Sequence, residues 1–277
     1  MFELVSGKKR LNLDEPKVMG ILNVTPDSFS DGGQFRAFDA ACRHADEMIA
    51  AGAHFIDIGG ESTRPGAADV SVFEELQRVV PLVEYVAANS DVWISVDTSK
   101  PEVMAASVAA GAHLINDIRS LTEPGALEVA AELQVPVCIM HMQGQPRTMQ
   151  AAPQYQNLLA EVSDYFDAQI ARCTAAGLSR SMLLLDPGFG FGKTLEHNYQ
   201  LLAHLQDFAK FDLPLLIGLS RKSMIGNLLG RPVAERLAGS LSGALLAAMH
   251  GAHILRVHDV PETLDVLRVL AATRAAD

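Results

Sequence analysis

Polar and charged side chains stand at or near the ends of five apolar runs in this 277-residue chain. Asp97 ends "VWISVD", Asn116 lies in "HLINDI", Asp186 ends "MLLLD", Lys222 follows "PLLIGLS" and Arg256 interrupts "HILRV". An uncompensated charge inside an apolar strand is costly. These side chains therefore either pair with one another in a structural salt-bridge network or form a site for a polar ligand, and both interpretations stay open at this point.

The residue types indicate which ligand such a site would take. Two carboxylates and an amide accept hydrogen bonds from a ring edge that offers N–H donors, as an amino-substituted heterocycle does. Arg256 and His258 are two residues apart in "RVH", so both side chains point to one side of a strand. With Arg64 and Lys222 they make a basic group suited to a phosphate-like leaving group.

The glycine-rich segment "DPGFGFGK" does not match either common nucleotide-binding motif. Gly188 and Gly192 are too close for a phosphate-binding loop, Pro187 takes the place of its first glycine, and GxGxG is not GxGxxG. Glycines that alternate with Phe189 and Phe191 indicate instead that backbone and rings approach a flat ligand.

Eight short apolar runs, beginning near residues 18, 54, 92, 113, 136, 182, 214 and 253, would position these residues. They are nearly continuous in apolar residues, which is typical of parallel strands covered on both faces. The segments between them show helix-start signals: Ser71 with Glu74 forms a capping box, and Ser99 precedes Pro101 in a first helical turn.

Eight strand and helix units predict an α/β fold of the (β/α)8 TIM-barrel type, as a single domain over residues 1–277. A doubly wound open sheet would give the same alternation, and the count of eight favours the barrel. The strand ends of a barrel meet at one mouth, where active sites are built. Residues 1–16 fall outside the pattern and predict a hairpin at the barrel bottom.

The bulk composition excludes several classes of function. A net charge of -11 argues against nucleic acid or an anionic membrane as the main partner. Cys42, Cys138 and Cys173 are far apart and form no CxxC pair, which favours a reducing cytoplasm over a disulfide framework or a zinc site. No apolar run reaches the ~20 residues that span a bilayer, and no export signal is evident.

Seven ordered segments, "GILNVTPDSFSDGG", "DIGGESTRPG", "SVDTSKPEV", "INDI", "LDPGFGFGK", "GLSRKS" and "LRVHDV", closely resemble the dihydropteroate synthases of bacterial folate biosynthesis. The match covers nearly the whole chain. The resemblance implies a cytoplasmic, homodimeric (β/α)8 barrel that acts on two small-molecule substrates. It would condense 6-hydroxymethyl-7,8-dihydropterin diphosphate with 4-aminobenzoate, in an SN1-like reaction that releases diphosphate and forms 7,8-dihydropteroate. Sulfonamides compete with the aminobenzoate in this family.

The resemblance also assigns roles to individual residues. The pterin would contact Asp97, Asn116, Ile118, Met140, Asp186, Gly218, Lys222 and Arg256. The diphosphate would contact Asn23, Thr63, Arg256 and His258, and Mg2+ would be held by Asn23 and Asp31. The aminobenzoate would contact Phe29, Thr63, Arg64, Pro65, Phe191, Lys222 and Ser223. The catalytic residues would be Asp97, Asp186, Lys222 and Arg256.

The segment "TPDSFSDGG" after the first strand is predicted to be a lid. Gly32 and Gly33 would let it move. Its closure would bring Phe29 to the aminobenzoate site and Asp31 to the metal.

Two other functions compete with this one. A corrinoid-linked methyltetrahydrofolate methyltransferase resembles the family in its barrel and pterin pocket, but it needs no diphosphate site, so Lys222, "RVH" and "TPDSFSDGG" argue against it. A non-catalytic pterin-binding paralogue, acting as a partner subunit, would not need the intact strand-end residues.

Overall fold

The computed structural model describes residues 2–24, 33–62, 69–144, 149 and 153–276, with the backbone alone for 33–36. Ten strands occur among these residues. They are β1 (Glu3–Ser6), β2 (Lys9–Asn12), β3 (Lys17–Asn23), β4 (Phe55–Gly59), β5 (Trp93–Asp97), β6 (Leu114–Asp117), β7 (Val137–Met140), β8 (Leu183–Asp186), β9 (Leu216–Ile217) and β10 (Ile254–Val257).

The same residues contain nine α-helices and three short 3-10 helices. The α-helices are α1 (Gly33–Ala51), α2 (Val72–Asn89), α3 (Pro101–Ala110), α4 (Ala126–Leu133), α5 (Leu158–Ala175), α6 (Leu195–Ala203), α7 (Ser223–Leu229), α8 (Leu237–Met249) and α9 (Val260–Arg274). The 3-10 helices are Arg180–Met182, Leu205–Phe211 and Val233–Glu235. None of the helices in the described ranges is long and apolar enough to cross a membrane.

Eight parallel strands form one sheet in the order β8-β7-β6-β5-β4-β3-β10-β9. A parallel bridge between Leu185 and Leu215 joins its two ends, and the Leu185 N–H donates to the Pro214 carbonyl at 3.0 Å. The sheet therefore closes on itself, which confirms the predicted barrel and excludes the open sheet. Both faces of the strands are buried, since outward residues such as Ile56 and Ile58 pack against helices, and this explains why the runs are continuously apolar.

The antiparallel pair β1–β2 forms a hairpin at the N-terminal end of the barrel. Leu4 from β1 and Leu13 just after β2 are buried against the lowest interior layer. That layer takes one apolar side chain from each barrel strand: Met19, Phe55, Trp93, Leu114, Cys138, Leu184, Leu216 and Ile254. The hairpin thus covers the barrel bottom, opposite the mouth where the polar strand ends lie.

The two predicted helix starts have different outcomes. Ser71 and Glu74 form the capping box at the start of α2, as predicted. At the second, α3 begins at Pro101 as predicted, but Lys100 and not Ser99 is the N-cap, and it makes no side-chain cap bond. The Ser99 hydroxyl donates instead to the carboxylate of Asp117, because a buried carboxylate is a stronger acceptor than a neutral group.

Three "GAH" triplets precede β4, β6 and β10 and share one contact. In each, the histidine Nδ1 accepts a backbone N–H at the start of the neighbouring strand, at 3.1 Å. The pairs are His54 with Val18, His113 with Ile94, and His253 with Leu215. Burial lowers the pKa of all three rings, to about 4 for His113 and His253. These histidines are therefore neutral acceptors that support strand starts at the barrel bottom.

Candidate active site

Side chains inside the barrel lie in layers, because every second residue of a strand faces the same side. Two positions above the apolar bottom layer lies a second layer that is largely polar. It consists of Ile21, Asp57, Ser95, Asn116, Met140, Asp186, Gly218 and Arg256. Two positions after four members of this layer, and so nearer the mouth, lie Asn23, Asp97, Ile118 and His258. The sequence-predicted residues on the strands therefore converge on one mouth of the barrel.

The guanidinium of Arg256 joins two carboxylates from other strands. Its Nε donates to Asp57 Oδ2 at 2.6 Å and its Nη2 donates to Asp97 Oδ2 at 2.7 Å. Asn116 Nδ2 donates to the same oxygen of Asp57 at 3.3 Å. Arg256, which the sequence placed in a basic group, therefore pairs directly with two carboxylates. Its register puts it in the second layer beside Asp57, so the salt-bridge network that the sequence left open is present here.

Burial and the charges of this network together shift the pKa values of Asp97 and Arg256. Burial raises the pKa of Asp97 to about 7, although Arg256 opposes the shift, and the nearby Asp57 adds to it. Burial alone would lower the pKa of Arg256, but Asp57 and Asp97 outweigh it and raise that pKa. The guanidinium therefore stays charged, while Asp97 exchanges its proton near neutral pH.

Asp186 and Lys222 are both held by the turn that follows β8. Asp186 Oδ1 accepts from the Gly188 N–H at 2.7 Å, and Lys222 Nζ donates to the Phe189 carbonyl at 2.5 Å. Burial raises the pKa of Asp186 against the effect of Lys222. Burial also lowers the pKa of Lys222, to about 8, against the effect of Asp186. An acid and a base of shifted pKa thus lie on the same side of the mouth.

An apolar wall stands beside these polar groups. Ile118, Met140, Met149 and Phe191 form a separate buried cluster, with Met142 packed against it. The Lys222 ammonium lies 4.7 Å from the centroid of the Phe191 ring. This wall offers a flat surface for an aromatic ligand next to hydrogen-bonding groups.

The glycines of "DPGFGFGK" have a different reason from the predicted one. All three have positive φ, and a Cβ at Gly188 or Gly192 would overlap the carbonyl oxygen of His141 or Gln143. The turn is therefore glycine-rich because it packs onto the loop after β7. Phe189 is fully buried in the main core, so only Phe191 of the two rings is at the site.

The remaining predicted residues lie around the mouth. His258 Nδ1 is 3.1 Å from Ser220 Oγ, and a Cβ at Gly59 would lie 3.5 Å from Asn23 Oδ1 and 3.3 Å from Asp97 Cβ. Gly218 is close to the Arg256 side chain, and Ser223 begins α7. Five predicted residues lie outside the described ones: Phe29, Asp31, Thr63, Arg64 and Pro65.

Two residues of the site were not assigned by the sequence. Asp57 is fully buried and its Oδ1 has no hydrogen-bond partner among the described residues. Its position two residues after the buried Phe55 was the available signal, since alternation places it on the inner face. Lys193 ends the turn after β8 with its side chain almost fully buried, and no sequence signal separates it from a surface lysine.

The comparison with known proteins agrees with this geometry. The model of the family described as pterin binding enzyme matches residues 19–258. The chain belongs to the pterin-binding enzyme family. Within that family, the dihydropteroate synthase of Escherichia coli strain K12 is 65% identical, over 96% of this chain and 94% of the relative. The one from Haemophilus influenzae is 54% identical, over 99% of this chain and all of the relative.

Solved structures of pterin-binding enzymes share the whole fold. The Yersinia pestis dihydropteroate synthase with a sulfonamide drug complex has a TM-score of 0.95 and 59% identity, covering 99% of this chain and 100% of that one. The Xanthomonas albilineans dihydropteroate synthase with 4-aminobenzoic acid has a TM-score of 0.93 and 50% identity, covering 99% and 98%. The resemblance noted in the sequence is confirmed.

Proposed function

We propose that this pterin-binding enzyme is a dihydropteroate synthase. It condenses 6-hydroxymethyl-7,8-dihydropterin diphosphate with 4-aminobenzoate and releases diphosphate. The observation that carries this function is the polar second layer at the barrel mouth, where buried carboxylates and an amide lie between two cations. A fold of this type acquires its chemistry from such a site, not from the barrel itself.

The pterin ring fits between the polar layer and the apolar wall. Asn116 and Asp186 offer oxygens to the N–H groups of the ring edge, while Ile118 and Met140 contact its face. Gly218 leaves room beside Arg256 because it has no side chain. Burial makes each of these hydrogen bonds stronger than it would be in water.

The diphosphate belongs on the side of Arg256, His258 and Asn23, with Thr63 as a further contact. A guanidinium has five N–H donors, and the bonds to Asp57 and Asp97 engage two of its nitrogens. The guanidinium therefore combines two roles, since the carboxylates orient it and its positive charge attracts the leaving group.

Mg2+ fits the donor chemistry at this side of the mouth. Asn23 ends β3 beside Asp97, and an amide oxygen is a ligand of the type that Mg2+ prefers. We assign Asn23 and Asp31 as its protein ligands, with substrate phosphates completing the shell as in other magnesium sites. When bound, the ion would neutralise charge on the departing diphosphate.

The aminobenzoate site is assigned to Phe29, Thr63, Arg64, Pro65, Phe191, Lys222 and Ser223. The contact between the Lys222 ammonium and the Phe191 ring supports this placement, because it gives a flat apolar face next to a positive charge. An arginine such as Arg64 pairs with a carboxylate through two parallel hydrogen bonds.

The charges favour an SN1-like course. Diphosphate leaves first, and the cation that remains on the pterin is stabilised by Asp97 and Asp186. The neutral amine of aminobenzoate then attacks the cation, forming the C–N bond, and the protonated product amine, which is strongly acidic, loses one proton to water. No strong base and no covalent enzyme intermediate are needed. The product is 7,8-dihydropteroate, a precursor in folate synthesis.

We also propose that the enzyme is a cytoplasmic homodimer. Exposed apolar side chains occur on α7, α8 and α9, helices that pack against one another in sequence. They are Leu228, Leu229, Leu246, Met249 and Val269. Such a set of apolar side chains favours burial in an interface. Sedimentation at micromolar protein should give twice the mass of one chain, and a monomer would contradict the dimer.

A diphosphate-release assay tests the function. Purified enzyme with Mg2+ and pterin diphosphate should release diphosphate in proportion to the 4-aminobenzoate added. Diphosphate release that does not depend on aminobenzoate, or no diphosphate release at all, would contradict the proposal. Methyl transfer from methyltetrahydrofolate to a corrinoid would indicate the methyltransferase instead, and pterin binding without turnover would indicate a non-catalytic paralogue.

A further inference from the structure

Lys193 is a buried lysine whose side-chain hydrogen bonds, among the described residues, all go to two loops at the mouth. Burial lowers its pKa to about 7. Its side chain is almost fully enclosed, and its Nζ donates to the carbonyls of Gly188 at 2.9 Å, Phe191 at 3.0 Å and His141 at 3.3 Å. It also lies 3.0 Å from His141 Nδ1. Burial lowers the pKa of His141 to about 3, so the ring is neutral and forms a hydrogen bond with Lys193 without competing for its charge.

These contacts join the loop after β7 to the turn after β8. His141 directly follows β7, and its N–H donates to the Asp186 carbonyl at 2.9 Å. Gly188 and Phe191 lie on either side of the turn and are themselves hydrogen-bonded, from the Phe191 N–H to the Gly188 carbonyl at 3.1 Å. The Lys193 side chain therefore bridges the two loops: it pairs with the carbonyls of His141 and Phe191 and adds a second hydrogen bond to the Gly188 carbonyl. A buried carbonyl without a partner is costly.

The turn held in this way supplies two contacts of the proposed aminobenzoate site. Its Phe189 carbonyl accepts from Lys222 Nζ, and its Phe191 ring lies under the same ammonium. The turn is fixed from the other side by Asn198, whose Oδ1 accepts from the Gly190 N–H at 2.7 Å. Phe191 and Lys222 thus depend for their positions on a turn that Lys193 holds from below.

We propose that Lys193 is a positioning residue for the aminobenzoate step, which rests on the function proposed above. It does not touch the substrate. Its hydrogen bonds keep the Phe191 ring and the Lys222 ammonium in the arrangement that receives the aromatic amine. Two pterin contacts, Asp97 and Asn116, are held by Arg256 and Asp57 instead. Asp186 accepts from the Gly188 N–H of the same turn, but its place in β8 also fixes it. The effect of Lys193 therefore falls mainly on the second substrate.

The variant Lys193→Met tests this inference, because methionine is of similar length and apolar. We expect the Michaelis constant for aminobenzoate to rise about tenfold or more, the equivalent of one net hydrogen bond. The dissociation constant of pterin diphosphate, measured by calorimetry, and kcat at saturation of both substrates should each change by less than about threefold. A merely structural role would reduce the fraction of folded enzyme, which lowers apparent kcat and leaves the Michaelis constant unchanged.

Lys210→Met is the matched control, since Lys210 is exposed, and it should leave all three constants unchanged. If Lys193→Met does not fold by circular dichroism, Lys193→Gln, which retains an amide donor, is judged by the same comparison. A folded variant with an unchanged Michaelis constant for aminobenzoate would overturn the positioning role. Absence of turnover in the unsubstituted enzyme would instead overturn the proposed function, so the two failures are distinguishable.

Discussion

Replacing Arg256 with methionine removes the cation that joins two carboxylates at the centre of the mouth. Asp57 is fully buried and Asp97 is one-tenth exposed, so both would remain in a low-dielectric setting without their partner. Removing one partner of a buried ion pair costs about 3–5 kcal/mol. Two charge-assisted hydrogen bonds, at about 1.5–3 kcal/mol each, give the same order. We therefore expect the variant to lose about 4 kcal/mol of unfolding free energy near pH 8.

The loss of unfolding free energy in Arg256→Met should be larger at higher pH. Arg256 holds down a pKa of Asp97 that burial has already raised to about 7, so without Arg256 that pKa rises further. A carboxyl with a raised folded-state pKa destabilises the fold as pH increases through that value. The variant should therefore be relatively more stable at pH 6 than at pH 8, by about 1 kcal/mol or more.

Urea denaturation at both pH values measures this loss, and diphosphate release at saturating substrates measures turnover. The single variant should lose about 10²–10³-fold in kcat, as removal of a preorganised charge donor does. The double variant Arg256→Met/Asp57→Asn removes one of the two unpaired acids. It should regain about 2 kcal/mol of stability, while turnover stays low because the cation for the diphosphate is still missing.

The double variant decides between the two interpretations of this network. If it restored turnover together with stability, Arg256 would be a structural salt-bridge partner alone. Turnover by Arg256→Met within a few-fold of the unsubstituted enzyme would lead to the same conclusion and would refute the assignment of Arg256 to the diphosphate.

Other variants have equally definite expected results. Asp57→Asn should move the acid limb of the pH–rate profile to lower pH, because Asp57 raises the pKa of Asp97. Titration of the substrate affects both proteins equally, so an acid limb at the same pH in both would contradict this. Asp186→Asn should weaken pterin diphosphate binding by about tenfold or more in calorimetry, and full affinity would remove Asp186 from the pterin site. The folded protein keeps His113 neutral down to about pH 4, whereas the unfolded chain protonates it near pH 6.5, so stability is lost as pH falls between these values. His113→Asn should therefore reduce the acid-induced loss of unfolding free energy, measured in urea, by about 1 kcal/mol after allowance for partial exposure. Equal losses in both proteins would contradict this.

The barrel was predictable because its signals are local. Each strand is a continuous apolar run, and helix ends are marked by residues such as Ser71, Glu74 and the glycines before β4, β6 and β10. Closure of the sheet, in contrast, is not determined by local sequence signals. It depends on β9 pairing with β10 on one side and bridging to β8 on the other, and the same apolar runs would occur in an open sheet.

The site was predictable in its members but not in its pairings. Asp97 and Arg256 were both recognisable as charges on apolar strands, yet they are 159 positions apart and their contact depends on the barrel register. Asp57 begins the recognised segment "DIGGESTRPG" but received no role from it, although the period of two places it on the inner face. Sequence patterns show which face a residue takes, while the three-dimensional register decides which charges meet.

The glycine-rich turn shows the same limit. The pattern "DPGFGFGK" indicated close approach of backbone, which is correct, and the group that approaches Gly188 and Gly192 is the loop after β7. Lys193 at its end looks like a surface residue in sequence. Its burial follows from the carbonyls that converge on it from His141, Gly188 and Phe191, and that convergence exists only in the folded chain.

The most direct test of the proposed chemistry is the stoichiometry of a single reaction mixture. Enzyme, Mg2+, pterin diphosphate and limiting 4-aminobenzoate are incubated, and both diphosphate and 7,8-dihydropteroate are quantified by chromatography. We expect equal molar amounts of the two products, each equal to the aminobenzoate consumed, and greatly reduced formation of both by Arg256→Met. Diphosphate formed without dihydropteroate, or no product from the unsubstituted enzyme, would contradict the proposed chemistry.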